Sequence, residues 1–200
     1  MFEEMVFNRE KQLREENLKE LRNNLNDTDV QFKIANYAEK HGFEAEDIKE
    51  RIKSDDLVAS FFAKDPSKQN FTEKLVAELL NTKTLPQSGK NCIRFNNNGD
   101  ICSTKSANTS KSADFLIGNV YITQKYTRST GGAQDNQYAD VVDFLSKGSK
   151  KYNVAAIVDG SYWDNSKRQE LKNFFNNNNN VQILSMNDIL TGGVSFEWYN

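Results

Sequence analysis

The chain has 200 residues, of which 27% are charged, with 26 Lys and Arg against 28 Asp and Glu and a net charge of -2. That size suits one domain with a small extension and can bury a sizeable core, and the mean hydropathy of -0.75 fits a soluble protein. No run approaches the roughly 18 apolar residues of a membrane span, and the opening MFEEMVFNREKQ lacks the basic-then-apolar layout of a signal peptide. A cytoplasmic protein without a membrane partner is therefore expected.

The net charge advertises no global basic field for nucleic acid, although 26 cations can still segregate into a local groove. One histidine and two cysteines are too few for a zinc site built from such ligands, and they weigh against catalysis by a histidine dyad or triad. His41 precedes Gly42 at an expected helix end, where an imidazole complements the helix dipole. Cys92 and Cys102 flank an expected hairpin turn, and in a reducing compartment they read as ordinary strand cysteines.

In chain order, residues 1–25 show helical spacing, with Met5, Leu13, Leu18, Leu21 and Leu25 able to line one face. Asp27 or Thr28 can cap a second helix that Gly42 stops. Residues 44–53 form a third. Ser54-Asp55-Asp56 is the N-cap signature of a fourth, LVASFFAK, with Pro66 just beyond it. Asn70 or Thr72 starts a fifth, FTEKLVAELLNT, with Phe71, Leu75, Val76 and Leu79 on its buried side.

The pattern then changes to strands. CIRF and ICST flank NNNGD, where Asn98-Gly99 is a strong hairpin signal. Residues 104–112 are polar and small, hence a loop. ADFLI and NVYIT are strands joined at Gly118-Asn119. From Asp135 to Tyr152, the spacing of Tyr138, Val141, Val142, Phe144 and Leu145 is helical. NVAAIVD is a continuous apolar run, as in a covered central strand. NSKRQELKNFF is a helix, NNNNN a loop, VQIL a buried strand, SMNDIL a short capped helix and GGVSFEWYN a tail. The expected fold class is α/β, a mixed β-sheet flanked by helices. Residues 1–64 would form an N-terminal helical subdomain and 65–200 the core.

The stretch from Ser112 to Tyr138 carries the chemistry. Asp114 opens one apolar strand, and a buried carboxylate needs a partner or a metal to offset its desolvation. The next strand ends in Thr123, Gln124 and Lys125. Side chains alternate, so Tyr121, Thr123 and Lys125 share one face, and Ile122, Gln124 and Tyr126 the other. Only one face can meet Asp114. If it is the first, lysine supplies charge and threonine stands where an acid could. If it is the second, the Gln124 oxygen is a ligand and lysine points away, unless a bulge brings both. Read plainly, the segment is a solvated strand end and Asp114 an edge carboxylate.

Arg128 to Gln134 is a small-residue loop leading into a helix, whose N-terminal N–H groups suit a phosphate, although no Gly-Lys-Ser/Thr follows. Gln134 and Tyr138 lie on one face of the first helical turn. Glu73 lies in the first turn of its own helix, where the dipole alone could explain it, and Glu78 reads as solvated.

These residues resemble the PD-(D/E)xK nuclease superfamily, and within it the type II restriction endonucleases. The resemblance rests on Asp114, a second strand ending in Gln124-Lys125, the Ser/Thr-Gly loop and its helix, then VAAIVDGSYWDNSKRQELKNFF and VQILSMNDILTGG. It covers roughly residues 68–195, with QNFTEKLVAELL as the glutamate-bearing helix. The chain departs from the pattern at Ala113, where a proline is usual, and at Thr123, which is in register with Lys125 where an acid is usual. Some members carry glutamine or asparagine at the acid position, which would be Gln124; Tyr126 would then take the lysine position.

The resemblance implies Mg²⁺-dependent, sequence-specific hydrolysis of double-stranded DNA, leaving 5′-phosphates, by a two-fold homodimer. It implies Asp114, Gln124 and a main-chain carbonyl near Gln124 or Lys125 as metal ligands, Glu73 acting through water, and Lys125 stabilising the transition state. Asn and Gln suit adenine, and Arg and Lys suit guanine. DNA contacts would come from residues 1–64 or from loops 82–90, 104–112 and 128–137, including Arg128, Ser129, Thr130, Gln134, Asn136 and Gln137.

Overall fold

A computed structural model describes residues 1–128 and 132–192, with residues 132–134 described by their backbone only. The described residues are α/β: eight α-helices, a four-stranded mixed sheet and a two-stranded ribbon. They divide into two compact units, Glu4–Phe71, and Met1–Glu3 with Thr72–Asn200. The division thus falls after Phe71 rather than at residue 64, and the first three residues belong with the sheet.

The helical unit is built from α1 (Phe2–Asn23), α2 (Thr28–His41), α3 (Ala45–Ser54) and α4 (Asp56–Phe62), followed by a 3₁₀ turn at Pro66–Lys68. Local chemistry sets its boundaries. The Asp27 carboxylate accepts the Asp29 N–H at 2.9 Å, and Gly42 closes α2 at φ 70°. Asp55 accepts the N–H groups of Leu57 and Val58 at 2.8 and 3.2 Å, which starts α4. Leu21, Leu25, Ile34, Ala38, Ile48, Ile52, Ala59 and Phe62 form the interior.

The buried stripe of α1 in this unit differs from the one its leucines predict. Met5 is 37% exposed and Leu13 and Leu18 are half-buried, whereas Asn17 is buried at the same i, i+4 spacing as Leu21 and Leu25. Asn17 is admitted because its amide is satisfied: Nδ2 donates to the Lys64 carbonyl and to Gln69 Oε1, both at 2.9 Å.

The sheet unit begins with α5 (Phe71–Leu79), most of which it contains. β1 (Arg94–Phe95) and β2 (Ile101–Cys102) follow as an antiparallel ribbon. Cys92 precedes β1 rather than lying within it, and both cysteines are free thiols. β3 (Phe115–Ile117) and β4 (Val120–Tyr126) are an antiparallel hairpin. After α6 (Gly132–Gly148), β5 (Asn153–Asp159) runs parallel to β4. α7 (Asn165–Phe174) then crosses to β6 (Val181–Leu184), parallel to β5, and α8 (Met186–Leu190) follows. The strand order is β3-β4-β5-β6.

β5 is buried at every position from Val154 to Asp159, which is why its sequence is a continuous apolar run rather than an alternating one. On one face Val154, Ala156 and Val158 pack with Val141, Phe144 and Leu145 of α6 and Leu171 of α7. Phe95 reaches the same cluster from β1, edge-on to Phe144 at 5.2 Å and to Tyr121 at 5.5 Å. α6 ends at Gly148 rather than running to Tyr152. A Cβ at Gly148 would lie 2.6 Å from Val154 Cγ1 and 2.7 Å from the Phe95 ring, so only glycine lets the helix end approach the core there.

Candidate active site

Asp114 sits one residue before β3, and the hairpin register places it beside Thr123 of β4. It is 4% exposed, and its carboxylate is held from several sides. Oδ2 accepts the Gln124 backbone N–H at 2.6 Å and the Thr123 hydroxyl at 3.2 Å. Oδ1 accepts Gln87 Nε2 at 2.9 Å. Lys125 Nζ stands 3.8 Å from Oδ2, too far for a charge-assisted hydrogen bond, so the lysine supplies field without being consumed by the carboxylate.

These contacts decide between the two faces of β4. Thr123 and Lys125 face Asp114. Alternation turns the Gln124 side chain away, with Ile122 and Tyr126, and its buried Nε2 has no hydrogen-bond partner among the described residues. Gln124 meets the acid through its backbone N–H only. As a side-chain metal ligand it is therefore corrected: the strand would have to slip by one residue for its amide to reach Asp114.

Glu73, in the first turn of α5, is half-buried and electrostatically part of the same site. Burial, and then the charge of Asp114, push its carboxyl above the ordinary glutamate value, while Lys125 and a hydrogen bond to Gln87 partly oppose this. Gln87 thus joins the two carboxylates. Its Oε1 accepts the Ser112 hydroxyl at 2.5 Å, and its backbone carbonyl accepts Arg94 Nη2 at 3.0 Å. Arg94 is itself buried and donates Nη1 to the Ser110 carbonyl at 3.0 Å. Gln87, Ser112 and Arg94 carry no signal in the linear chain. A glutamine in a Pro-Gln-Ser-Gly loop is unremarkable until Leu85 N–H pairs with the Asp114 carbonyl at 2.8 Å and lays that loop beside the acid.

The donor set suits one hard divalent cation. It offers oxygen from two carboxylates, and Mg²⁺ commonly uses one or two carboxylates with several waters. Such a cation would relieve the repulsion from Asp114 that adds to burial in raising Glu73. Among the described residues no group of three or more His, Cys, Asp or Glu side chains could hold a metal, and this site offers two carboxylates only.

The expected DNA-contact residues fall differently. Arg128 is exposed and donates Nε to the Tyr126 hydroxyl at 2.9 Å, with its guanidinium 5.4 Å from that ring. Tyr126 also donates to Glu3 Oε2 at 2.5 Å, and burial with that bond pushes its phenol up to about 12. Gln137 Oε1 accepts the Thr127 hydroxyl at 2.5 Å, tying α6 to the end of β4. Asn136 is exposed on α6. Ser129 and Thr130 lie outside the described residues, and Gln134 is described only as a backbone position of α6; the expected loop is shorter because the helix starts at Gly132. Tyr138 of the same turn stacks on Trp163 at 6.0 Å and lies under Lys167 Nζ at 4.8 Å, a packing role.

A second buried carboxylate escaped the sequence reading. Asp159 ends β5 in register with Tyr126, on the face opposite Asp114. Both its oxygens accept the Met186 N–H, at 3.1 and 3.2 Å, so it satisfies the first N–H of α8, whose N-cap is Ser185. Burial pushes it up to about 6, with the Met186 N–H and Arg168 opposing.

No family model matches the chain, and neither a curated protein nor a solved structure matches it.

Proposed function

We propose that the chain is a Mg²⁺-dependent DNA phosphodiesterase with a PD-(D/E)xK-like core, acting as a type II restriction endonuclease on double-stranded DNA. The observation that carries this reading is the convergence of Asp114, Lys125 and Glu73 at the tips of β3 and β4 and the start of α5. Asp114 and Glu73 would hold the cation. Bound there, it supplies Lewis acidity and lowers the pKa of its water. Gln124 N–H and Thr123 orient the Asp114 carboxylate. Lys125, offset from Asp114, offers Nζ to the charge that develops on a scissile phosphate. Cleavage would leave 5′-phosphates, and a palindromic target would call for a two-fold homodimer in the cytoplasm.

A second reading has its own observation. Thr123 occupies the in-register position of an acid, and every oxygen of Asp114 already accepts a protein donor. That arrangement also suits a DNA-binding protein that kept the fold and lost catalysis. Incubation with plasmid and Mg²⁺ separates them: discrete fragments are expected, nicked circles would indicate a nicking enzyme, and no cleavage would indicate a binder. Asp114→Ala should lower cleavage on the order of a thousandfold; full activity in that variant would remove the assignment.

A further inference from the structure

The Gln87 amide lies where the two carboxylates meet. A carboxylate only accepts, so the side chain must present Nε2 to both Asp114 Oδ1 and Glu73. The other end of the same amide faces the Ser112 hydroxyl, which donates to Oε1. The backbone on either side is pinned, by Leu85 N–H on the Asp114 carbonyl and by Arg94 on the Gln87 carbonyl. The side chain can therefore turn without moving the loop.

Half a turn of the amide exchanges its oxygen and nitrogen at nearly constant shape. Ser112 serves both orientations, because a hydroxyl donates to Oε1 in one and accepts from Nε2 in the other. The turned amide would bring three oxygens together, from Asp114, Glu73 and Gln87. Only a cation between them makes that arrangement favourable.

We propose that Gln87 is a ligand of the divalent cation of this site, its amide donating to the carboxylates in the absence of metal and turning over to present Oε1 in its presence, with Ser112 as the fixed pivot partner. The proposal rests on the metal-dependent reading above. It gives the site the third protein oxygen that Thr123 does not supply, and it makes Gln87 a reversible placeholder rather than a blockage.

Direct binding of Mn²⁺ to the full chain, followed by loss of the free-ion EPR signal, tests it without relying on cleavage. Wild type should bind, and Asp114→Asn should bind at least about tenfold more weakly. Gln87→Ala should lose about tenfold or more in affinity, and Ser112→Ala a smaller factor. Gln87→Glu, close in shape, should bind more tightly than wild type, and it decides the matter if Gln87→Ala does not fold. Equal or tighter binding by Gln87→Ala, or unchanged affinity in Gln87→Glu, overturns the role of Gln87 and leaves the nuclease reading standing. No Mn²⁺ uptake by wild type overturns the proposal together with the metal-dependent reading.

Discussion

The helical unit and the sheet unit bury different kinds of side chain. Of the buried polar and charged residues among those described, only Asn17 belongs to the helical unit; Arg94, Ser110, Ser112, Asp114, Thr123, Gln124, Thr127, Ser149, Asp159 and Ser185 belong to the sheet unit. Removing a polar group from water costs free energy unless it is hydrogen-bonded. In the helical unit, shape and caps account for the interior apart from the hydrogen-bonded Asn17. In the sheet unit, a linked set of donors and acceptors runs from Arg94 through Gln87 to Asp114, and Glu73 and Lys125 add charge to it. Such a set can hold charge in place, which is what a reactive site requires.

The contrast can be tested by substitution. The largest expected effect is in the sheet unit, at Gly160. Its φ is 99°, and a Cβ there would lie 2.2 Å from the Thr127 carbonyl oxygen. Gly160→Ala should lose more than about 4 kcal/mol in urea unfolding; a loss under about 1 kcal/mol would mean that the turn after β5 can give way. Next comes Ile52→Ala in the helical unit, where a fully buried side chain is replaced by a cavity. About 3 kcal/mol of destabilisation is expected, and Ile52→Val should cost about 1 kcal/mol. If Ile52→Thr matched Ile52→Val, the apolar character of this interior would matter less than its volume.

A smaller effect concerns Asp159. Its folded-state pKa of about 6 lies above the ordinary 3.8, so the folded protein holds the proton more tightly than the unfolded chain. The favourable contribution is fully present below about pH 4 and is lost as pH rises through about 6. Urea midpoints measured from about pH 4 to about pH 7 should show a fall attributable to this group of order 2 kcal/mol. In Asp159→Asn that component should vanish, while an unchanged pH profile would place its cause elsewhere. Smallest is Asp55→Ala, which removes the cap of α4 and should cost about 1 kcal/mol. A loss as large as that of Ile52→Ala would show that caps, not packing, dominate the helical unit.

Features that a few neighbouring residues decide can be read from the linear chain. Asp27 and Asp55 cap helices, and Gly42 ends one, because a side chain or a positive φ acts within a few residues. The hairpin turns at Gly99 and Gly118, each with positive φ, and the covered strand at 153–159 were legible for the same reason. Asp114 was legible because a carboxylate opening an apolar strand is locally out of place.

Tertiary structure decided the rest. Alternation showed that Gln124 and Lys125 must part, but only the β3–β4 register selected Thr123 and Lys125 to meet Asp114. Gln87, Ser112 and Arg94 became part of the site only when loop and ribbon pairings distant in sequence brought them beside the acid. Asn17 replaced a leucine in the buried stripe because partners at Lys64 and Gln69 were waiting for it. Asp159 acquired its shifted pKa from burial at a strand end beside Met186. Each of these depends on long-range pairing and desolvation, and neither is a property of a residue and its immediate neighbours.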